Sequence, residues 1–411
     1  MQKIAIIGGG IGGLCTAIAL QRHTPHQVIV YESAAEIKNV GAGLLLAANA
    51  LKALDYIGIK KEVLSVGHLQ NTFAIIDQNG KIITQTNRER IAAKFDTEDN
   101  FAVHRAELHK CLMAQLKPNT LQLNSRCIEV VQTEGKVKAV ITQGDQPYTI
   151  SFDALIAADG IHSVVRKKYA PDSQIRYAGY TCWRGVTTNP IANYNTTSET
   201  WGKNGRFGIV PLKDGRVYWF LVMNNPTAND PAMQALNLTD LYLHFKDYHY
   251  PIPQILQATQ ANQFIWNDII DLKPINQYAY NQVLLLGDAA HATTPNMGQG
   301  ACQAIEDAAV LLNCMHQQPN NIAQAFTSFE QKRLARTHTV VNNSWTLGKL
   351  AQIQNPMLIA LRNFCLRLVP QSFNEKQLDF IYKVEMWWSG EVVKWWNCDV
   401  AMWGCGDTKH S

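Results

Sequence analysis

Apolar residues along this chain fall into two textures. The first consists of short apolar runs, at 3–7 behind Lys3, at 152–158 with Asp153 as the one polar residue, and at 283–286. Such a run predicts a strand buried on both faces, as in a parallel sheet. A similar run at 28–31 ends at Glu32, and between it and the first run Leu14, Ala17, Ile18 and Leu20 recur at helical spacing. That order predicts a strand–helix–strand unit. Further helical patterns cover about 105–116, 301–314, 328–336, 339–350 and 357–368, the last two broken apart by Asn355-Pro356. The second texture occupies 171–276. Stretches at 180–186 and 206–210 alternate, and an apolar-rich stretch at 216–222 follows the turn signal Asp214-Gly215. Residues 70–97 carry a like signal, Asn79-Gly80. Both segments predict antiparallel sheet.

The 3–7 run leads straight into Gly8-x-Gly10-x-x-Gly13. Gly8 permits a tight turn, Gly10 lets the backbone approach a pyrophosphate, and Gly13 lets helix and strand pack closely. The helix start offers unpaired N–H groups and a positive dipole end to phosphates. Glu32 can accept hydrogen bonds from a ribose diol. With a strand before, a helix after and this acid, the glycines predict a bound dinucleotide, without separating FAD from NAD. Three distant patches also read as ligand loops. Arg105 opens a helix and could hold a phosphate bidentately, or be an ordinary surface arginine. Asp159-Gly160 follows the 152–158 run. Gly287-Asp288 follows the 283–286 run and continues through Pro295, Asn296, Met297, Gly298, Gln299 and Gly300 into a helix. A parallel strand ending in Gly-Asp puts the carboxylate at the sheet's carboxyl edge, where ligands bind.

Composition narrows the classes. The 411 residues carry 37 Lys+Arg against 33 Asp+Glu, a net +4 without a block of five like charges, so nucleic acid is not an expected partner. No apolar run reaches about 18 residues, so no spanning helix is expected. The glycine-interrupted start argues against a signal peptide, and nine cysteines without a C-x-x-C pair suggest reduced thiols and a cytoplasmic protein. Neither H-E-x-x-H nor G-x-S-x-G occurs, so neither a metal site nor a hydrolase elbow is expected.

Gly8-x-Gly10-x-x-Gly13 with Glu32, Ala158-Asp159-Gly160 with Arg166, and Gly287-Asp288 with the stretch from Pro295 to Gly300 resemble the group A FAD-dependent monooxygenases. That is the p-hydroxybenzoate hydroxylase-like family, and the likeness covers roughly residues 1 to 340. Gly41-Ala42-Gly43 and Asn49-Ala50-Leu51 also resemble its segment after the second strand. The resemblance implies an α/β fold (α+β overall). A Rossmann-like FAD-binding domain of 1–69, 98–170 and 277–330 is interleaved with an antiparallel-sheet substrate domain of 70–97 and 171–276. A C-terminal helical region, 331–411, follows. It also implies roles. Gly8, Gly10, Gly13, Glu32 and Arg105 hold the ADP half of FAD, and Asp288 binds the ribityl chain. Gly298, Gln299 and Gly300 lie beside the isoalloxazine, and Asp159 serves the pyrophosphate and NAD(P)H. The implied reaction consumes NADH or NADPH and O2. Through a flavin C4a-hydroperoxide it inserts one oxygen atom into a small aromatic or heteroaromatic substrate. Pro295 and Asn296 would wall the reacting side.

Trp183, Arg184, Trp201, Arg206, Tyr218 and Phe220 are candidates for the substrate face, with core aromatics as the plainer reading of Trp183, Tyr218 and Phe220. Arg206 beside an aromatic wall could fix an anionic substrate. Residues 201–218 resemble the urate hydroxylase branch of the family, where an Arg and a Tyr matching Arg206 and Tyr218 contact substrate. That branch has an Asp where this chain has Asn296. His291 reads equally as a base or as a structural histidine. Two other readings stay open: an epoxidase or oxygenase of the same scaffold acting on an isoprenoid or polyketide, and a non-catalytic flavin-fold carrier of a lipidated partner. Trp387, Trp388, Trp395, Trp396 and Trp403 are half of the ten tryptophans. Their spacing suits one helical face, which could touch a membrane, pack as a helix, or be foreign to the fold. A monomer or a homodimer is expected.

Overall fold

The computed structural model describes residues 1–36, 42–144, 146–188, 196–370 and 379–382, with backbone alone at Asn87 and Arg88. Gly41 and the tryptophan-rich stretch from Trp387 to Trp403 lie outside the described residues.

Lys3–Ile7 sits inside a six-stranded sheet, flanked in parallel by Gln27–Tyr31 and by Ala154–Ala157. Leu121–Gln122 and Val283–Leu285 extend the parallel set, and Ala279–Tyr280 closes one edge antiparallel. Counted in chain order, the parallel strands stand 3-2-1-4-5. Ligands bind such sheets where the order reverses, which here lies between Lys3–Ile7 and Ala154–Ala157. The apolar runs are buried at nearly every position, because both faces of these strands are covered. The third and fourth parallel strands are joined by an antiparallel meander of Ser125–Thr133, Lys136–Gln143 and Gln146–Phe152. The expected strand at 152–158 is thus two elements: Phe152 ends the meander, and Ala154–Ala157 belongs to the parallel sheet. Helix Ile11–His23 is buried without a break from Ile11 to Gln21. It is wedged between the sheet and helix Gly300–Gln317, so its apolar residues surround it rather than forming one stripe.

Strands from both alternating segments form one seven-stranded sheet. Its order is Phe264–Leu272, Ile175–Thr187, Val217–Asn224, Gly205–Pro211, Thr197–Gly202, Thr72–Asp77 and Ile82–Asn87. Thr197–Gly202 runs parallel to Thr72–Asp77; the other pairings are antiparallel. Asp214 and Gly215, at φ 64° and 72°, make the turn expected of that dipeptide. Helices Leu238–Phe245 and Ile252–Ala258 cover one face of this sheet. Leu241, Phe245, Ile252 and Ile255 pack there against Trp183, Phe207, Trp219 and Leu221. Alternation does not signal these helices, because segments of two turns hold too few residues to display a period.

A single helix, Ile322–Ala351, spans both patterns expected at 328–336 and 339–350. Thr337 does not interrupt it, since its hydroxyl donates back to the Arg333 carbonyl at 2.9 Å. Asn355 caps Pro356–Leu368, its Oδ1 accepting from the backbone N–H groups of Met357 and Leu358. This last helix leaves Met357, Leu358, Leu361, Phe364 and Leu368 exposed. Among the described residues, no helix is long and apolar enough to cross a membrane.

Candidate active site

A cavity of about 1320 Å³ lies between the carboxyl edge of the parallel sheet and one face of the seven-stranded sheet. The two-residue period of a strand decides what faces it. Tyr218, Phe220 and Val222 line the cavity, while Val217, Trp219 and Leu221 point into the core. Cys182 and Arg184 likewise line it, and Trp183 between them is core. Of the six substrate-face candidates, Arg184, Trp201, Arg206, Tyr218 and Phe220 are therefore at the cavity.

At the nucleotide end the three glycines do different work. Gly8 sits at φ +105°, and a Cβ there would stand 2.3 Å from the Ala158 carbonyl oxygen. A Cβ on Gly13 would meet the Gly8 oxygen at 2.0 Å, so it is helix–strand contact that demands this glycine. Gly10 differs: it lines the cavity, and a Cβ on it would meet no protein atom within 4 Å. The space over Gly10 is thus kept clear at the start of a buried helix, which fits a pyrophosphate. Glu32 is not part of the cavity lining; its Oε1 accepts from Ala34 N–H at 2.8 Å and the Ser33 hydroxyl at 3.3 Å, and its Oε2 accepts from Gly9 N–H at 2.7 Å, leaving a lone pair on Oε2. Arg105 lines the same cavity with an exposed side chain. Asp159 does not line it. One of its oxygens accepts from Val164 N–H at 2.9 Å and the other is buried without a partner, and burial pushes its carboxyl up. Gly160, next along, does line the cavity. Arg166 ties this loop to the next, donating to the carbonyls of Ile161 and, at 3.1 Å, Ala289.

Asp288 is exposed to the cavity, and the protein enclosing that cavity raises its carboxyl, against the pull of His291 and Arg105. Its loop is clamped from behind by Asp307, which accepts from Gly287 N–H at 2.9 Å, His291 Nε2 at 2.7 Å and Arg333 Nε at 2.6 Å. Neighbouring Glu306 accepts from Arg333, from Arg336 Nε at 2.6 Å and from Asn49 at 2.9 Å. Burial alone would raise the Asp307 carboxyl. The charges of His291 and Arg333 outweigh it and hold the group at about 2. His291 points at Asp307 and is absent from the cavity lining, which favours its structural reading over a base. This buried network escapes sequence reading because Arg333 arrives from a helix 26 residues away.

At the other end, Pro295, Asn296, Met297, Gly298, Gln299 and Gly300 all line the cavity. Arg206 lines it too, and it is buried with a partner at each nitrogen. Its Nε donates to Gln352 at 2.9 Å, Nη1 to Glu199 at 2.9 Å and Nη2 to Asn296 Oδ1 at 2.8 Å. Glu199 also accepts from Trp201 Nε1 at 3.0 Å. The Asn296 amide nitrogen faces Tyr180 Oη, Thr294 Oγ1 and the Ser344 carbonyl, at 2.7 to 2.9 Å. An asparagine suits this position because it must accept on one side and donate on the other. Burial pushes the Tyr218 phenol up, so it stays protonated and can donate a hydrogen bond.

Residues 1–344 match the family described as FAD binding domain. The chain belongs to the group A FAD-dependent monooxygenases. It is 32% identical over 367 residues to the aurachin C monooxygenase/isomerase of Stigmatella aurantiaca, covering 89% of this chain and 94% of that protein. It is 30% identical to the FAD-dependent urate hydroxylase of Klebsiella pneumoniae, covering 83% and 88%. The crystal structure of Klebsiella pneumoniae HpxO with FAD and uric acid aligns with a TM-score of 0.82 at 27% identity, over 92% of this chain and 97% of that one. As a member of this monooxygenase family, the chain is a flavoprotein oxidoreductase that uses NAD(P)H and O2 to oxygenate an aromatic or heteroaromatic compound. The carrier reading falls with this membership.

Proposed function

We propose that FAD lies along the 1320 Å³ cavity, from Gly10 and Arg105 past Asp288 to Gly298, Gln299 and Gly300, and that a heteroaromatic ring is hydroxylated beside Asn296, Arg206 and Tyr218. One observation carries this: a single cavity is lined by residues from each separated loop and, opposite them, by the seven-stranded sheet. Its size exceeds the roughly 300–1,000 Å³ usual for one small ligand, and so suits a dinucleotide plus a second molecule. FAD supplies the redox and oxygen-activating chemistry. The chain's residues supply the rest. Gly10 and the following N–H groups receive the phosphates, with Glu32 and Arg105 at the nucleotide's polar groups. Asp288 accepts hydrogen bonds from the cofactor's hydroxyls. The start of helix Gly300–Gln317 presents positive dipole to the flavin. Pro295 and Asn296 limit water at the reacting face, and the Tyr218 hydroxyl orients the substrate. Relatives named for urate hydroxylation and for 2-heptyl-3-hydroxy-4(1H)-quinolone synthesis, the latter from Pseudomonas aeruginosa at 27% identity, support a heteroaromatic ring. The seven cysteines among the described residues are unpaired, which supports a cytoplasmic setting. The test is Asp288→Ala. Flavin content after gel filtration is expected to fall at least about tenfold while the melting profile of the flavin-free protein is retained. Unchanged flavin retention refutes the assignment.

A further inference from the structure

Resting on that reading, we propose that the substrate is an uncharged heteroaromatic ring carrying an apolar chain. The ring lies against Asn296, and the chain lies against Phe73, Ile75, Trp201, Leu347 and Leu350.

Charge decides the first half. An arginine at a substrate wall ordinarily invites an anion. Here the guanidinium of Arg206 already donates to a carboxylate, an amide oxygen and a second amide oxygen, and Glu199 cancels its charge at 2.9 Å. An anionic substrate at this wall would meet Glu199 beside Arg206, with Asn296 Oδ1 occupied by the arginine. Arg362 stacks on Trp201 at 4.9 Å but is not part of the cavity lining, and it donates to the carbonyls of Leu350 and Ala351. The other two cavity arginines, Arg105 and Arg184, lie by Tyr218 and are not among the hydrogen-bond partners of Asn296. Arg105 acts on Asp288 and Tyr218, and Arg184 on Tyr218. The wall around Asn296 thus offers polar, neutral hydrogen bonding.

The lining decides the second half. On strand Thr72–Asp77, Ala74 and Ile76 are buried in the core, while Phe73 and Ile75 are only half-buried and face the cavity. Trp201 and Leu347 face it as well. Leu350, 38% exposed, lines this cavity and also a smaller surface groove of about 250 Å³ formed with Leu358, Leu361, Arg362 and Leu366. Large apolar side chains left open in this cavity are matched by an apolar chain. Each methylene buried there should tighten binding about threefold to fourfold.

The test uses the FAD-loaded enzyme with 4(1H)-quinolones bearing 2-methyl, 2-pentyl, 2-heptyl or 2-nonyl groups, and with urate and salicylate as anions. Binding is read by flavin fluorescence, and turnover by NAD(P)H consumption and product mass. The expected result is coupled turnover with the alkylated quinolones, Kd falling with chain length, and little response to either anion. In Leu350→Glu the gain from heptyl to nonyl is expected to disappear. In Glu199→Gln, which keeps hydrogen-bonding oxygen but removes the charge, salicylate binding is expected to strengthen about tenfold relative to the heptylquinolone. Coupled turnover with urate or salicylate and none with any quinolone overturns the inference and leaves the monooxygenase reading intact. Equal affinity for methyl and nonyl compounds overturns the chain. If NAD(P)H leaves the flavin oxidised whatever compound is present, the proposed function itself falls.

Discussion

Replacing Asp307 with Asn removes one negative charge from the buried clamp and changes little else in shape. The structure sets the size of the effect. Asp307 is fully buried and serves Gly287 N–H, His291 and Arg333 together. Its carboxyl moves from the ordinary 3.8 to about 2 on folding. At ~1.36 kcal/mol per pH unit, that displacement favours the folded state by roughly 2 kcal/mol at neutral pH. Breaking a buried ion pair by altering one partner costs a comparable ~3–5 kcal/mol. Asp307→Asn is therefore expected to lose about 3 kcal/mol, a large share of the ~5–15 kcal/mol that holds a typical domain together. The sign with pH follows from a depressed folded-state value. The contribution is complete above about pH 4 and is lost as pH falls towards about 2. Urea melts of the flavin-free protein at pH 7, followed by tryptophan fluorescence and repeated down to pH 3, measure both. The wild type should shed stability on this acid limb and the variant should shed less. Midpoints agreeing to within about 0.5 kcal/mol at pH 7, or identical acid limbs, refute the reasoning.

Two further outcomes separate packing from binding. Gly13→Ala would place a methyl 2.0 Å from the Gly8 carbonyl and should prevent accumulation of folded protein; Gly10→Ala meets no protein atom and should melt within about 1 kcal/mol of wild type while binding FAD at least tenfold more weakly. Wild-type flavin affinity in Gly10→Ala, measured by titration, removes the pyrophosphate from that site. Asn296→Asp replaces a donor to the Ser344 carbonyl, now 2.8 Å away, with an acceptor. It should destabilise by about 1–3 kcal/mol and lower coupled NAD(P)H oxidation, and a variant as stable as wild type in urea would show that the Ser344 contact contributes little.

Much of this site is legible before any coordinates. The apolar runs at 4–7 and 283–286 report strands covered on both faces, and their Gly-rich exits report ligand loops. Alternation also sorts Tyr218 and Phe220 from Trp219, once it is asked which face is core. The same rule reaches Glu199: Trp201 pairs with Arg206 across a tight turn, so 199 and 201 share its face. The remaining partners of Arg206 are not legible. Gln352 and Asn296 lie 146 and 90 residues away, and only tertiary packing brings them there. The boundary at Phe152 is missed for a different reason. A meander strand feeds a sheet strand through one residue, Asp153, whose carboxylate is taken by Lys3 N–H and Lys136, so apolarity barely pauses.

The clamp of Glu306 and Asp307 with Arg333 and Arg336 straddles the connection between two helices, acids on one and bases on the other. The two helices must therefore be inherited together. A hybrid enzyme spliced with a relative anywhere in residues 318–321 would strand opposite charges in a dry interior unless the incoming half brought matching partners. Crossovers that respect this pairing, placed ahead of Gly287 or beyond Ala351, also keep the Asp288 loop with the acid that clamps it.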